Sequence, residues 1–150
     1  MKVLKKTRKR PLRGDVFVFQ LDDGRVLYGR VVRDDVECLG VRCFLIYIHD
    51  IILDTTEHQP EEFDTSSLLL PPMLVPQQMW TRGFFKNVES QSMAAKHELR
   101  HHCFDEQKYS GPDSYVDEYG KHLAKRSEPC GPAGIFTDLG VEAEVLKALS

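Results

Sequence analysis

Five residues in the second half of the chain, His97-Glu98-Leu99-Arg100-His101, have the spacing of a zinc-hydrolase motif. On a helix, histidines at i and i+4 share a face and can ligate one Zn²⁺, and the glutamate between them can act as general base toward a bound water. Catalysis at such a site also needs a third protein ligand and an open position for the water. The motif does not continue to HExxHxxGxxH, and Glu118, His122 and Glu128 qualify as third ligands only by their distance along the chain. Lys96, Arg100 and His102 surround it with positive or potentially positive groups, and the stretch has no strongly apolar face to bury against a core. The motif therefore reads as part of a solvent-facing helix. No catalytic residue, metal or other cofactor is assigned, with His97 and His101 as the ligands should a metal bind. Cys103 beside His102 is no dyad, since adjacent helical residues point about 100° apart. There is no P-loop, GxGxxG or GxSxG segment.

Carboxylates form the second chemical feature. Asp54, Glu57, Glu61, Glu62 and Asp64 fall in one stretch with no lysine or arginine, either a solvated loop or an acidic contact surface for a basic partner. Their spacing fits no EF-hand. Asp22 and Asp23 precede Gly24 and are explained by turn geometry. Four cysteines, Cys38, Cys43, Cys103 and Cys130, include no CxxC pair and read as free thiols of a reducing compartment.

Charge is distributed unevenly. Residues 1–13 hold seven of the 20 basic side chains and no acid, so residues 14–150 carry 13 basic against 23 acidic groups, a net of −10. The segment 1–13 reads as a solvated basic arm, and 14–150 as one domain. An acidic body disfavours nucleic acid as a partner, because it repels the polyanion that the arm would attract. No run approaches the roughly 20 apolar residues of a membrane span. No apolar h-region follows the basic start, so a cytoplasmic protein is expected.

The elements that must position these residues are mostly strands. Residues 14–32 alternate on both sides of Asp22-Asp23-Gly24 and predict a hairpin closed by a two-residue type I′ turn. Residues 34–40 read as a polar link. The β-branched and aromatic run 41–53 predicts a core strand covered on both faces. Pro71, Pro72 and Pro76 confine residues 68–76 to an extended edge or connecting segment. Residues 80–88 predict a short strand in which Trp80 fills the core and Gly83 allows a close backbone approach. A middle helix is expected at about 91–104. A C-terminal helix is expected at about 138–149, capped by Thr137 or Asp138, with Leu139, Val145, Leu146 and Leu149 on its apolar face. The fold class is α+β and strand-rich: an antiparallel sheet or an SH3-like, partly open barrel with these two helices.

The basic lead-in to Gly14-Asp15-Val16-Phe17, the LDDGRVLYGRVV hairpin, the WTRGFF around Trp80 and Gly83, and the later YVDEYG together resemble the Imm26 family of bacterial immunity proteins. The resemblance covers most of the chain in scattered blocks, and HELRH is not one of them. It implies a small cytoplasmic protein, encoded beside a polymorphic or contact-dependent toxin, that binds the toxin domain and neutralises it without catalysis of its own. A nuclease toxin, with its basic cleft, would suit the acidic segment 54–64 as contact surface. Two other classes are a small zinc hydrolase using HELRH and an SH3-like module binding a peptide or nucleic acid through its barrel and basic arm.

Overall fold

The computed structural model describes residues 1–53, 55–56 and 65–150. Its first strand, β1 (Asp15–Gln20), is buried on both faces: Phe17 and Phe19 point into one cluster and Val16 and Val18 into another, as the period of two requires. With β2 (Val26–Cys38), β3 (Val41–Leu53), β4 (Met73–Pro76) and β5 (Lys86–Ser90) it forms one antiparallel sheet in the order β4-β3-β2-β1-β5. The sheet is open. β4 and β5 lie at opposite edges, so the barrel alternative gives way to the sheet, and β3 occupies the residues expected of it.

The expected type I′ turn is not at Asp22-Asp23-Gly24, and a second hairpin turn stands where a polar link is expected. After β1, Gly24 N donates to Leu21 O at 2.9 Å and Leu21 N to Arg25 O at 2.9 Å, and of the loop residues only Gly24 has positive φ, at 97°. This is a three-residue loop with a left-handed glycine in place of the type I′ turn. A two-residue loop with positive φ at both positions does occur, at Leu39 (53°) and Gly40 (77°), between β2 and β3. The expected polar link is therefore the end of a strand. Val36 is buried beside Cys43 and Leu45, and that burial outweighs the polarity of Asp34, Asp35 and Glu37.

One face of the sheet is covered by α1 (Gln78–Thr81) and α3 (Asp138–Leu149). Trp80 lies on α1, not on a strand, and β5 begins only at Lys86. Its ring meets Phe17, Phe44 and Phe85 nearly edge-on at 5.6, 5.4 and 5.2 Å, and its indole N–H donates to Asn87 Oδ1 at 2.8 Å. On α3 the buried residues are Val141 and Val145, one turn apart, whereas Leu139 and Leu146 are exposed. Thr137 is the N-cap residue but makes no side-chain cap bond.

The opposite face carries a small sheet ordered β7-β6-β8, built from β6 (Cys103–Asp105), β7 (Tyr115–Val116) and β8 (Cys130–Pro132), with α2 (Gln107–Ser110) between the first two. Phe104 and Val116 pack on Val32, Val36, Leu45 and Tyr47. The expected middle helix is absent here: only Ala95–His97 form a single 3₁₀ turn, Glu98 is extended, and residues 103–105 are strand. Helix propensity is a weak bias, and burying Cys103 and Phe104 against the main sheet overrides it. Cys103 and Cys130 are register partners in the parallel β6–β8 pair, 4.6 Å apart at Cα, and form a disulfide rather than the expected free thiols. Cys38 and Cys43 remain thiols. Residues 1–13 lie along the body: Leu4 N and Lys5 N donate to Gly83 O, Thr7 N donates to Trp80 O, and Leu4 packs beside Val16 and Val18.

Candidate partner-binding site

Where the small sheet meets β2 and β3, the sequence supplies a row of polar groups at the boundary of two apolar layers, and they bond to one another. Tyr47, fully buried in the middle of β3, accepts a hydrogen bond from Leu99 N at 2.9 Å and pairs with His102 Nε2 at 2.7 Å. His102 Nδ1 lies 2.6 Å from Glu118 Oε2, and His102 and Glu118 are 5% and 8% exposed. Arg33 from β2 joins Glu118 (Nε to Oε2, 3.6 Å) to Glu98, which Arg13 also grips at 2.8 Å. The inner groups are thus linked in sequence: Leu99 N–H donates to Tyr47 Oη, Tyr47 Oη shares a hydrogen bond with His102 Nε2, and His102 Nδ1 lies against Glu118.

Burial works against the carboxylates, yet both are held below the ordinary value of 4.5. For Glu118 the His102 hydrogen bond and the Arg33 charge outweigh desolvation, and for Glu98 the bonds from Arg13 and Arg33 do so. Burial pushes the Tyr47 hydroxyl up to about 12 and the Cys43 thiol up to about 11. A chain of ionised and neutral groups so arranged joins three segments, β2, β3 and the 98–118 region, and exposes little of itself.

Beside this network a cleft of about 200 Å³ opens between the β2–β3 tip and the small sheet. Its floor is apolar, with Leu74, Phe104, Val116 and Ala133, and Glu37, Glu106, Asp117 and Glu118 line it with no lysine or arginine among them. Asp117 also shapes the rim, accepting Tyr119 N and Lys121 N on Oδ1 at 2.9 Å each, and Tyr119 Oη donates to Asp35 at 2.9 Å. Leu39 forms part of the wall at the hairpin tip and is 97% exposed.

Of the residues singled out from sequence, Asp54, Glu57, Glu61, Glu62 and Asp64 lie outside the described residues. His97 and His101 do not share a helix face. His97 is buried in the 3₁₀ turn, with Nδ1 accepting Ala94 N at 3.0 Å, His101 is exposed on an irregular stretch, and Glu98 is committed to two arginines. Among the described residues, no group of three histidine, cysteine, aspartate or glutamate side chains is placed to hold a metal. The cleft was not read from sequence. Its one signal was Leu39-Gly40 between Val36 and Cys43, a turn dipeptide inside an alternating run.

The sequence model of the immunity protein 26 (Imm26) family matches residues 13–114, about two-thirds of the chain. The chain belongs to the Imm26 family. The matched span includes the whole five-stranded sheet, Arg13, Tyr47, Glu98 and His102, and ends before Glu118 and β8. Membership of Imm26 makes this an immunity-protein scaffold, whose implied partner is a protein toxin. No curated protein and no solved structure matches the chain.

Proposed function

We propose that this protein neutralises a cognate toxin domain in the bacterial cytoplasm by binding it one-to-one, without catalysis. The observation that carries this reading is the Imm26 match. Electrostatics supports a particular kind of toxin. Residues 14–150 carry a net −10, partly offset by the seven basic groups of the docked residues 1–13, and an acidic stretch such as Asp54, Glu57, Glu61, Glu62 and Asp64 would attract a domain with a basic active-site cleft, such as one that cleaves nucleic acid. Complementary fields of this kind raise association rates and fix orientation more than they raise affinity.

The test is co-expression with the toxin domain encoded beside this gene. A stoichiometric complex on gel filtration and restored growth of the host are expected; toxicity undiminished by co-expression rejects the reading. A charge-reversed Glu57/Glu61/Glu62 variant should associate more slowly at low salt, and an unchanged association rate would remove the segment 54–64 from the steering surface.

A further inference from the structure

Leu39 is placed against two ordinary preferences at once. Left-handed φ is uncommon for a leucine, which gains nothing there that asparagine or glycine would not supply more cheaply. A large apolar side chain is also rarely left almost wholly in water at a hairpin tip, and Leu39 is 97% exposed beside a half-exposed Val41. The left-handed backbone closes the β2–β3 hairpin, but asparagine or glycine would close it with less strain, and the leucine side chain buries no core surface in return.

The neighbouring cleft supplies the complement. At about 200 Å³ it is smaller than the roughly 300–1,000 Å³ of small-molecule sites and suits a single side chain. An apolar floor below a carboxylate rim fits the dual character of a long basic side chain, whose methylenes pack on apolar surface while the charged head meets the acids. Glu37 and Glu106 are the rim carboxylates least engaged with the domain itself, because Asp117 caps its own turn and Glu118 is paired with His102 and Arg33.

Resting on the immunity reading above, we infer that this cleft receives an arginine or lysine side chain of the toxin domain, with Leu39 packed against the apolar surface around that residue. The acidic body brings the partner in, and the cleft fixes how it sits. A few residues carry most of the energy of typical interfaces, and an arginine seated in a pocket is one of the recurring kinds.

Leu39→Asn tests this cleanly, because asparagine tolerates the left-handed conformation and the variant should fold at least as well as the parent. Binding to the toxin domain encoded beside the gene is measured by calorimetry, together with a Glu37→Gln/Glu106→Gln variant. The expected results are a melting temperature equal to or about 2–4 °C above that of the parent for Leu39→Asn, and at least a tenfold loss of affinity in each variant, with a shallower salt dependence in the double-glutamine protein. Hydrogen exchange of the complex should show new protection at residues 37–41 and 116–120. Equal affinity of parent and both variants, or protection confined to other segments, overturns the cleft assignment while leaving the immunity reading intact. A parent that fails to bind the toxin domain overturns that reading and the inference with it. Concentration-dependent self-association abolished by Leu39→Asn would assign the tip to a second copy of this chain and equally overturn the proposal.

Discussion

Removing the Tyr47 hydroxyl should cost more than one hydrogen bond. Tyr47→Phe keeps the ring in its core site and removes the atom that accepts from Leu99 N–H on one side and pairs with His102 Nε2 on the other. A buried polar group left without its partner costs about 1–3 kcal/mol. Water can reach half-buried Leu99 but hardly reaches His102, so the sum falls near 2–4 kcal/mol. For a domain of this size each kcal/mol shifts the melting temperature by about 2–4 °C, which puts the expected drop near 10 °C. Differential scanning calorimetry and urea unfolding should agree, and Tyr109→Phe on exposed α2 should stay within about 0.5 kcal/mol of the parent. A Tyr47→Phe protein as stable as the Tyr109→Phe control would show that the network does not join the two sheets.

Three further outcomes follow from particular contacts. A Cβ built on Gly29 would lie 2.2 Å from the Phe17 ring, which is itself stacked on Phe85 at 4.2 Å, so Gly29→Ala should destabilise by about 3 kcal/mol, the upper end of what overpacking usually costs, read from the urea midpoint. Glu98 and Glu118 have folded values below 4.5, so their stabilisation is complete above that value and is lost as pH falls through the lower folded values. Glu98→Gln should therefore be about 1–2 kcal/mol less stable at pH 7, with the gap to the parent closing on acidification, and a gap independent of pH would contradict the ion pairing. Unfolded without reductant, the protein should offer two titratable thiols, Cys38 and Cys43, and after reduction four. The 27-residue separation of Cys103 and Cys130 makes the bond worth about 3.5 kcal/mol on loop-closure grounds, so an unchanged melting temperature after reduction would contradict a structural role.

What was readable from sequence divides along a physical line. The first hairpin, the strand at 41–53, the edge segment ending at Pro76 and the final helix are set by local alternation, by proline or by helical periodicity and occur where those signals put them, although β2 runs past the expected end at 32 to Cys38 and only Met73–Pro76 of the edge segment is strand. In the region 91–104 the helix formers express only a local preference, while the structure is set by partners far along the chain: Arg13 for Glu98, Tyr47 for Leu99 and His102, and Cys130 for Cys103. The same distance hid the network. From sequence Tyr47 is one more apolar member of a core strand, and Glu118 stands out only as a distant candidate ligand for the HELRH motif. The disulfide was hidden for another reason: 27 intervening residues and a cytoplasmic expectation say nothing about a parallel strand pair that sets two cysteines side by side.

Tyr47, His102 and Glu118 have the residue types of an acid–base relay, and their geometry argues for support instead. A general base must reach a substrate proton within about 2.6–3.2 Å and titrate near the working pH. Tyr47 is wholly enclosed with its hydroxyl pushed up to about 12, both His102 ring nitrogens are engaged, and Glu118 is spent on His102 and Arg33. Such groups hold β2, β3 and the small sheet in fixed relation. That relation determines the width of the neighbouring cleft, because Leu39 stands at the end of β2 while Phe104 and Val116 belong to the other sheet. The network itself is enclosed, and what the surface beside it offers to solvent is the exposed Leu39 and the carboxylates of Glu37 and Glu106.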